Sequence, residues 1–119
     1  MASGTVRNGF IRKSVTYTAA SAYKLSGGGV TADDHQIIIT GYLQKQAGGT
    51  IAQITTDTTM LTLPEDARPP VDRQFVCPVG SNGSKIDGWA AMCLRASGAL
   101  ECRYMSETGY IWLGLSIPK

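Results

Sequence analysis

The chain has 119 residues, of which 11 are basic and 9 are acidic, so its formal net charge is only +2 at pH 7. The basic residues are scattered, whereas nucleic-acid binding needs clustered cations that neutralise phosphates, which argues against a nucleic acid as partner. No apolar run approaches the ~20 residues needed to cross a bilayer, which argues against membrane insertion. Residues 1–9 lack the apolar core of a signal peptide, so we expect synthesis in the cytoplasm without a secretion signal.

The distribution of residue types favours strands and turns. Fourteen glycines accompany many threonines, serines and short β-branched runs, and these residues suit tight turns and strands respectively. No segment keeps an apolar period of 3.6 through three turns, so no long helix is expected. The pattern predicts an all-β fold, an antiparallel β-sandwich or jelly-roll-like domain, with extended segments at residues 14–19, 36–46, 50–55, 58–63, 73–79, 88–95, 99–104 and 110–117.

Two regions are expected. Residues 1–30 form an N-terminal arm with the first strand and a glycine-rich hinge at 27–29, and residues 31–119 form the β-sandwich domain. The segment 37–43, Ile-Ile-Ile-Thr-Gly-Tyr-Leu, is apolar on both faces. Such a strand is usually covered on both sides, either by its own domain or by a neighbouring subunit.

The segment from Ala90 to Tyr104 predicts a β-hairpin. A two-residue turn would place Cys93 opposite Cys102, but it would also set apolar residues against charged ones. A three-residue loop, 96–98, closed by glycine in the left-handed conformation separates the faces cleanly. In that register Leu94 faces Leu100, Met92 faces Cys102 and Ala90 faces Tyr104, so no Cys93–Cys102 disulfide is predicted.

No motif of an enzyme active site, phosphate loop or metal site is found, so we predict a non-enzymatic protein without cofactor or metal. The three cysteines, Cys77, Cys93 and Cys102, are interpreted as buried thiols, since they include no C-x-x-C pair. His35 beside Asp33 and Asp34 could form a base or metal corner, but a solvated turn before a buried strand is the favoured interpretation.

Aromatic residues on the last strand indicate a contact surface. Alternation places Ile111 and its i+2 neighbours on the core face, and Tyr110 and Trp112 on the other face. Tyr and Trp combine a large contact area with a polar tip, which suits an interface. Tyr42 and Trp89 are further candidates. The alternative is that a second sheet or the N-terminal arm covers these side chains.

The order of these features resembles the C-terminal β-domains of bacteriophage tail-fibre, baseplate and receptor-binding proteins. The matching residues are a strand ending in Leu63-Pro64, an acidic turn leading to Arg68-Pro69, the hairpin at Ser97-Gly98, and the final strand Tyr110–Leu113. The similarity covers about residues 36–119, and the Leu-Pro to Arg-Pro element is its most diagnostic part. One departure is that members commonly form the tips of long fibrous chains, whereas this chain has only a short arm before the domain.

The resemblance implies a homotrimeric component of the virion that contacts the host surface, either a glycan or a protein. It also implies that the N-terminal arm binds a neighbouring subunit or another virion protein. Burial of faces around a threefold axis would explain the two-sided strand 37–43 and the outward aromatics. The alternatives are a purely structural capsid-decorating or baseplate protein and, from another class, a small carbohydrate-binding module or hydrolase fragment.

Overall fold

The computed structural model describes residues 12–81 and 85–119, so residues 1–11 of the predicted arm lie outside the described residues. The all-β prediction is confirmed, because the described residues form ten strands and no α-helix. A short 3-10 helix, Glu65–Ala67, follows the sixth strand. No helix within these two ranges is long and apolar enough to cross a membrane. The strands are β1 (Lys13–Ser14), β2 (Thr18–Ala19), β3 (Tyr23–Ser26), β4 (Val30–Ala32), β5 (Gln36–Lys45), β6 (Thr58–Thr62), β7 (Arg73–Gly80), β8 (Gly88–Leu94), β9 (Ala99–Met105) and β10 (Tyr110–Pro118).

The ten strands form one antiparallel sheet that curls into a half-barrel. The strand order is β1-β4-β5-β10-β7-β8-β9-β6-β2, and β3 pairs with β5 beside β4. β5 and β10 pair over eight residues from Ile111↔Leu43 to Pro118↔Gln36, whereas β10 and β7 pair only at Tyr110↔Gly80 and Ile111↔Val79. The curl therefore leaves one concave side, which holds the core.

The core follows from alternation along the long strands, which a bulge interrupts in β9. Most of the apolar residues at every second position of β5, β8, β9 and β10 are buried on the concave side. Burial of such side chains stabilises the fold by roughly 1.5–3 kcal/mol each. The largest fully buried side chains are Ile37, Ile39, Leu43, Ile51, Met60, Leu61, Leu63, Met92, Leu94, Leu100, Met105 and Ile111.

The predicted strand at residues 14–19 is divided. β1 pairs with β4 near one end of the sheet order, and β2 pairs with β6 at the other end. The chain between them must cross the open side of the half-barrel, so the extended ladder is interrupted at residues 15–17. The predicted strand at 50–55 is reduced to one bridge, Ile51↔Gly109. β3 and β4 were not predicted, and both pair with β5 on either side of the glycine segment 27–29.

These pairings place strands from both predicted regions in the same sheet, while the boundary at residue 30 stays a prediction. The glycine segment packs closely against β5. A Cβ on Gly28 would lie 2.5 Å from the backbone of Thr40, whose N–H donates to Gly29 O at 2.9 Å. Glycine is required here for close approach of two backbones.

The β8–β9 hairpin has the predicted loop. Gly98 has φ +94°, and its N–H donates to Arg95 O at 2.9 Å, as in a type I turn followed by a G1 bulge. Leu94 pairs with Leu100, as predicted. Met92 pairs with Cys102, so Cys102 faces the core whereas Cys93 faces the opposite side. The geometry confirms that these two thiols are not bonded, and all three cysteines are free and buried.

The predicted pairing of Ala90 with Tyr104 is wrong. The register shifts between Ala91 and Met92, so Ala91 pairs with Tyr104 and Ala90 pairs with Met105. The cause is a β-bulge in β9, which places one extra residue opposite β8 and reverses the alternation beyond it. Tyr104 is therefore turned away from the core, and Met105 is fully buried in its place.

Candidate contact surface

Three of the four predicted aromatic residues lie together on the convex face of β5 and β10. Trp112 pairs directly with Tyr42, and their ring centroids are 4.8 Å apart. Tyr110 meets Tyr42 edge-on, with centroids 5.5 Å apart and an interplanar angle of 83°. These are favourable aromatic geometries. The outward placement of Tyr110 and Trp112 is confirmed, since the alternate residues Ile111 and Leu113 are buried in the core.

This aromatic trio is half-buried rather than open. Tyr42, Tyr110 and Trp112 are all of intermediate exposure. The ring of Tyr42 contacts the turn after β3, since a Cβ on Gly27 would lie 3.2 Å from it. The Nε1 atom of Trp112 is buried and has no hydrogen-bond partner among the described residues. The trio therefore contributes to packing on the convex face and leaves one indole donor unpaired.

Trp89, the fourth predicted residue, lies apart from the trio and is the more exposed. Its ring contacts Tyr104, with centroids 5.4 Å apart and an interplanar angle of 40°. Trp89 is 47% exposed, Tyr104 is 39% exposed and the neighbouring Val76 is 66% exposed. These three are among five exposed large hydrophobic residues in the described ranges, the others being Val71 and Ile86.

We call the surface formed by Val76, Trp89 and Tyr104 the outer aromatic face. Its residues occupy paired positions on the convex side of three adjacent strands, where Val76 and Pro78 of β7 lie opposite Ala91 and Trp89 of β8, and Ala91 lies opposite Tyr104 of β9. Sequence analysis missed Val76 and Tyr104. Alternation in residues 73–79 could have identified Val76, because Phe75, Cys77 and Val79 form the inner set, whereas no sequence signal marks the bulge that exposes Tyr104.

A pair of carboxyl groups lies at one end of the outer aromatic face. Glu107 lies directly over Gly88, whose Cβ would meet its Oε1 atom at 2.6 Å. Its hydrogen bond with Asp87 is the main factor that raises the pKa of Glu107 and lowers the pKa of Asp87. Asp87 also accepts from Ser81 Oγ at 3.0 Å and lies 3.9 Å from Lys85 Nζ. Trp89 lies next to this pair along the chain, and its backbone N–H donates to Ser106 Oγ at 2.9 Å.

An ion network lies at the other end of the same face. Arg95 contacts Glu101 and Asp72 at 3.0 Å each and Asp57 at 3.6 Å. The hydrogen bonds to Asp72 and Glu101 raise the pKa of Arg95 above its ordinary value. Arg103 binds Asp57 at 3.2 Å.

This network covers the thiol of Cys93. Cys93 is fully buried although it faces away from the core. Burial is the main factor that raises the pKa of its thiol. The network therefore shields a thiol that the sheet itself does not cover.

The Leu-Pro to Arg-Pro element links β6 to β7 and holds the hairpin turn. Leu63 N–H donates to Gly98 O at 2.9 Å, and Arg68 Nε donates to Leu63 O at 3.1 Å. Leu63 and Pro69 are buried, and Pro64 precedes the 3-10 helix. A Cβ on Gly98 would lie 2.5 Å from Leu63 O and 2.7 Å from Arg68 Nε. In this fold the element is a structural clamp on the β8–β9 turn.

The residues around His35 form a turn. Asp33 Oδ1 accepts the backbone N–H groups of His35 at 2.7 Å and Gln36 at 2.9 Å. The hydrogen bond from His35 is the main factor that lowers the pKa of Asp33. Lys119 Nζ donates to the carbonyl oxygens of Asp33 and Asp66 at 3.0 Å each. Within residues 12–81 and 85–119, no three His, Cys, Asp or Glu side chains are arranged to hold a metal ion.

Comparisons with known proteins give no relative: no family model, curated protein or solved structure matches this chain.

Proposed function

We propose that this protein is a non-enzymatic virion component of the bacteriophage tail-fibre type, a homotrimeric β-sandwich or jelly-roll-like module that contacts the host surface. The observation that supports this best is the outer aromatic face, where Val76, Trp89 and Tyr104 are exposed together on a hydrogen-bonded sheet. Exposed apolar clusters mark interaction sites, and Trp and Tyr are enriched among residues that dominate binding energy.

The position of this face suits recognition of a surface. Its residues are held by strand pairing on both sides of β8, so binding requires little ordering of the backbone. The sequence had indicated the β10 aromatics as the contact surface. Since those are half-buried, we assign the host contact to the outer aromatic face instead.

The convex face of β5 and β10 supports the proposed trimer. Ile38, Tyr42 and Trp112 are apolar or aromatic and only partly covered. A buried donor without a partner, such as Trp112 Nε1, costs roughly 1–3 kcal/mol. That atom is closed off within the chain, so the support for a subunit interface comes from the partly covered apolar side chains around it, whose burial against a neighbour would be favourable.

Light scattering coupled to size-exclusion chromatography tests the assembly. The expected mass is three times that of the 12.6 kDa chain. Ile38→Asp should dissociate the trimer, whereas Val71→Asp, at a residue that is 54% exposed outside the strands, should not. A stable monomer at all concentrations would contradict the trimer.

Binding of the fluorescently labelled protein to a panel of bacterial cells tests the host contact. We expect binding to a subset of strains and its loss in Trp89→Ala with the trimer mass unchanged. Val71→Ala is the matched control because it removes a comparably exposed side chain elsewhere. If no strain binds and the trimer is stable, the second candidate, a structural capsid-decorating or baseplate protein, is favoured, since the convex face of β5 and β10 would then suffice.

A further inference from the structure

The outer aromatic face presents two aromatic rings between two sets of polar side chains. Trp89 and Tyr104 contact each other, and both are exposed for more than a third of their surface. We infer that this face binds a neutral carbohydrate, with a sugar ring over Trp89 and Tyr104 and its hydroxyl groups hydrogen-bonded to the flanking side chains. The inference rests on the proposed function, because it names the ligand class of the same surface.

The aromatic pair suits a sugar ring because one face of a pyranose consists of C–H groups. These groups are weakly positive, and they meet the negative face of an aromatic ring favourably. Trp and Tyr also lose little side-chain entropy on binding, since each has two rotatable bonds. Pro78, opposite Trp89 in the ladder and exposed, extends the apolar floor.

The first polar end supplies hydrogen-bonding groups whose cation is already paired. Asp87 and Glu107 offer carboxyl oxygens that accept hydrogen bonds, and the Ser81 hydroxyl lies beside them, 3.0 Å from Asp87. Lys85 lies 3.9 Å from Asp87 and offsets its charge. A few well-placed polar groups beside an apolar floor are what fix the orientation of a bound small ligand.

The second polar end also combines hydrogen-bonding groups with a cation that is already paired. Arg103 follows the buried Cys102 in the bulge of β9, and it is paired with Asp57 at 3.2 Å and lies 3.5 Å from Gln74 Oε1. Guanidinium, amide and carboxylate groups together offer both donors and acceptors.

Charge complementarity therefore favours a neutral polyhydroxylated ligand. At both ends the cations are already paired with carboxylates, as Lys85 is with Asp87 and Arg103 is with Asp57. An ionic ligand would have to compete with these pairs, whereas hydroxyl groups can add hydrogen bonds to them. A purely apolar partner would remove water from these partly exposed polar groups without replacing its hydrogen bonds, which costs free energy.

A glycan array that displays neutral and acidic oligosaccharides tests the inference with the 119-residue protein as the probe. Retention on a neutral glycan class is expected. Trp89→Ala and Tyr104→Ala should each weaken that binding at least tenfold, while Val71→Ala changes it less than twofold. Circular dichroism and the trimer mass must match wild type, which separates lost binding from lost folding. Absence of neutral-glycan binding, or binding that both variants retain, would overturn the inference.

Treated cells distinguish this inference from the proposed function. On a strain that binds the protein, periodate oxidation of surface sugars should abolish binding, and protease treatment should leave it intact. If binding survives periodate but is lost on proteolysis, the ligand is a protein. The carbohydrate inference then fails, while the proposed host contact stands.

Discussion

The clamp between the β8–β9 turn and the β6–β7 connection can be tested by Gly98→Ala. Gly98 has φ +94°, a conformation that costs an L-residue roughly 1–2 kcal/mol. The new Cβ would also lie 2.5 Å from Leu63 O, so the turn must move away. That movement weakens the Leu63 N–H to Gly98 O bond and the Arg68 to Leu63 O bond, each worth about 1 kcal/mol. The expected loss of unfolding free energy is about 2–4 kcal/mol.

Urea denaturation followed by circular dichroism measures this loss, and two other glycines separate its causes. Gly49 has φ +101° with no atom within 4 Å of its Cβ position, so Gly49→Ala should cost only the conformational part. Gly114 has open space and no positive φ, so Gly114→Ala should be neutral or stabilising by about 0.4–1 kcal/mol. If Gly98→Ala is no more destabilising than Gly49→Ala, the close approach to Leu63 does not constrain the fold.

Three further changes test the polar groups and the thiols. The hydrogen bond with Asp87 raises the pKa of Glu107, so the stability that the protonated group contributes is present at low pH and is lost as pH rises through that pKa. Glu107→Gln should therefore raise the melting temperature above that pH and change it little below, and a pH-independent effect would contradict the raised pKa. Burial raises the pKa of Cys77 to about 12 and that of Cys102 to about 11. Neither thiol should react with Ellman's reagent at pH 8 until urea unfolds the chain, and fast reaction of the native protein would contradict their burial. Arg95→Ala leaves the neighbouring carboxylates of Asp57, Asp72 and Glu101 without this cation, so it should lower stability. Because salt screens the repulsion between them, 1 M NaCl should reduce that loss. An equal loss at low salt and in 1 M NaCl would indicate lost packing instead.

The long strands could be predicted from the sequence because the continuous apolar run in β5 and the alternation in β7–β10 are local signals. The three-residue hairpin loop followed from the same signal, since only one register separated apolar from charged residues. β3 and β4 have three or four residues each and exist because β5 offers them partners. Such pairing-dependent strands leave no local pattern. The division of residues 14–19 has the same origin, because β1 and β2 pair at opposite ends of the sheet.

The candidate site was predictable only in part. Alternation placed Tyr110 and Trp112 on the convex face, but their contact with Tyr42 depends on the β5–β10 register, which joins distant parts of the chain. How much of each aromatic side chain is exposed depends in turn on which other parts of the chain pack against it. The trio is half-buried, whereas Trp89, given lower priority by the sequence, is nearly half exposed.

A single extra residue in β9 creates the outer aromatic face. Were β9 regular beyond Cys102, alternation would turn Tyr104 into the core and Met105 out to solvent. The bulge at Arg103 reverses this, so Met105 is buried and Tyr104 stands opposite Ala91, in contact with the Trp89 ring. Since bulges commonly re-aim side chains at functional sites, this irregularity supports the proposal that Tyr104 belongs to a contact surface.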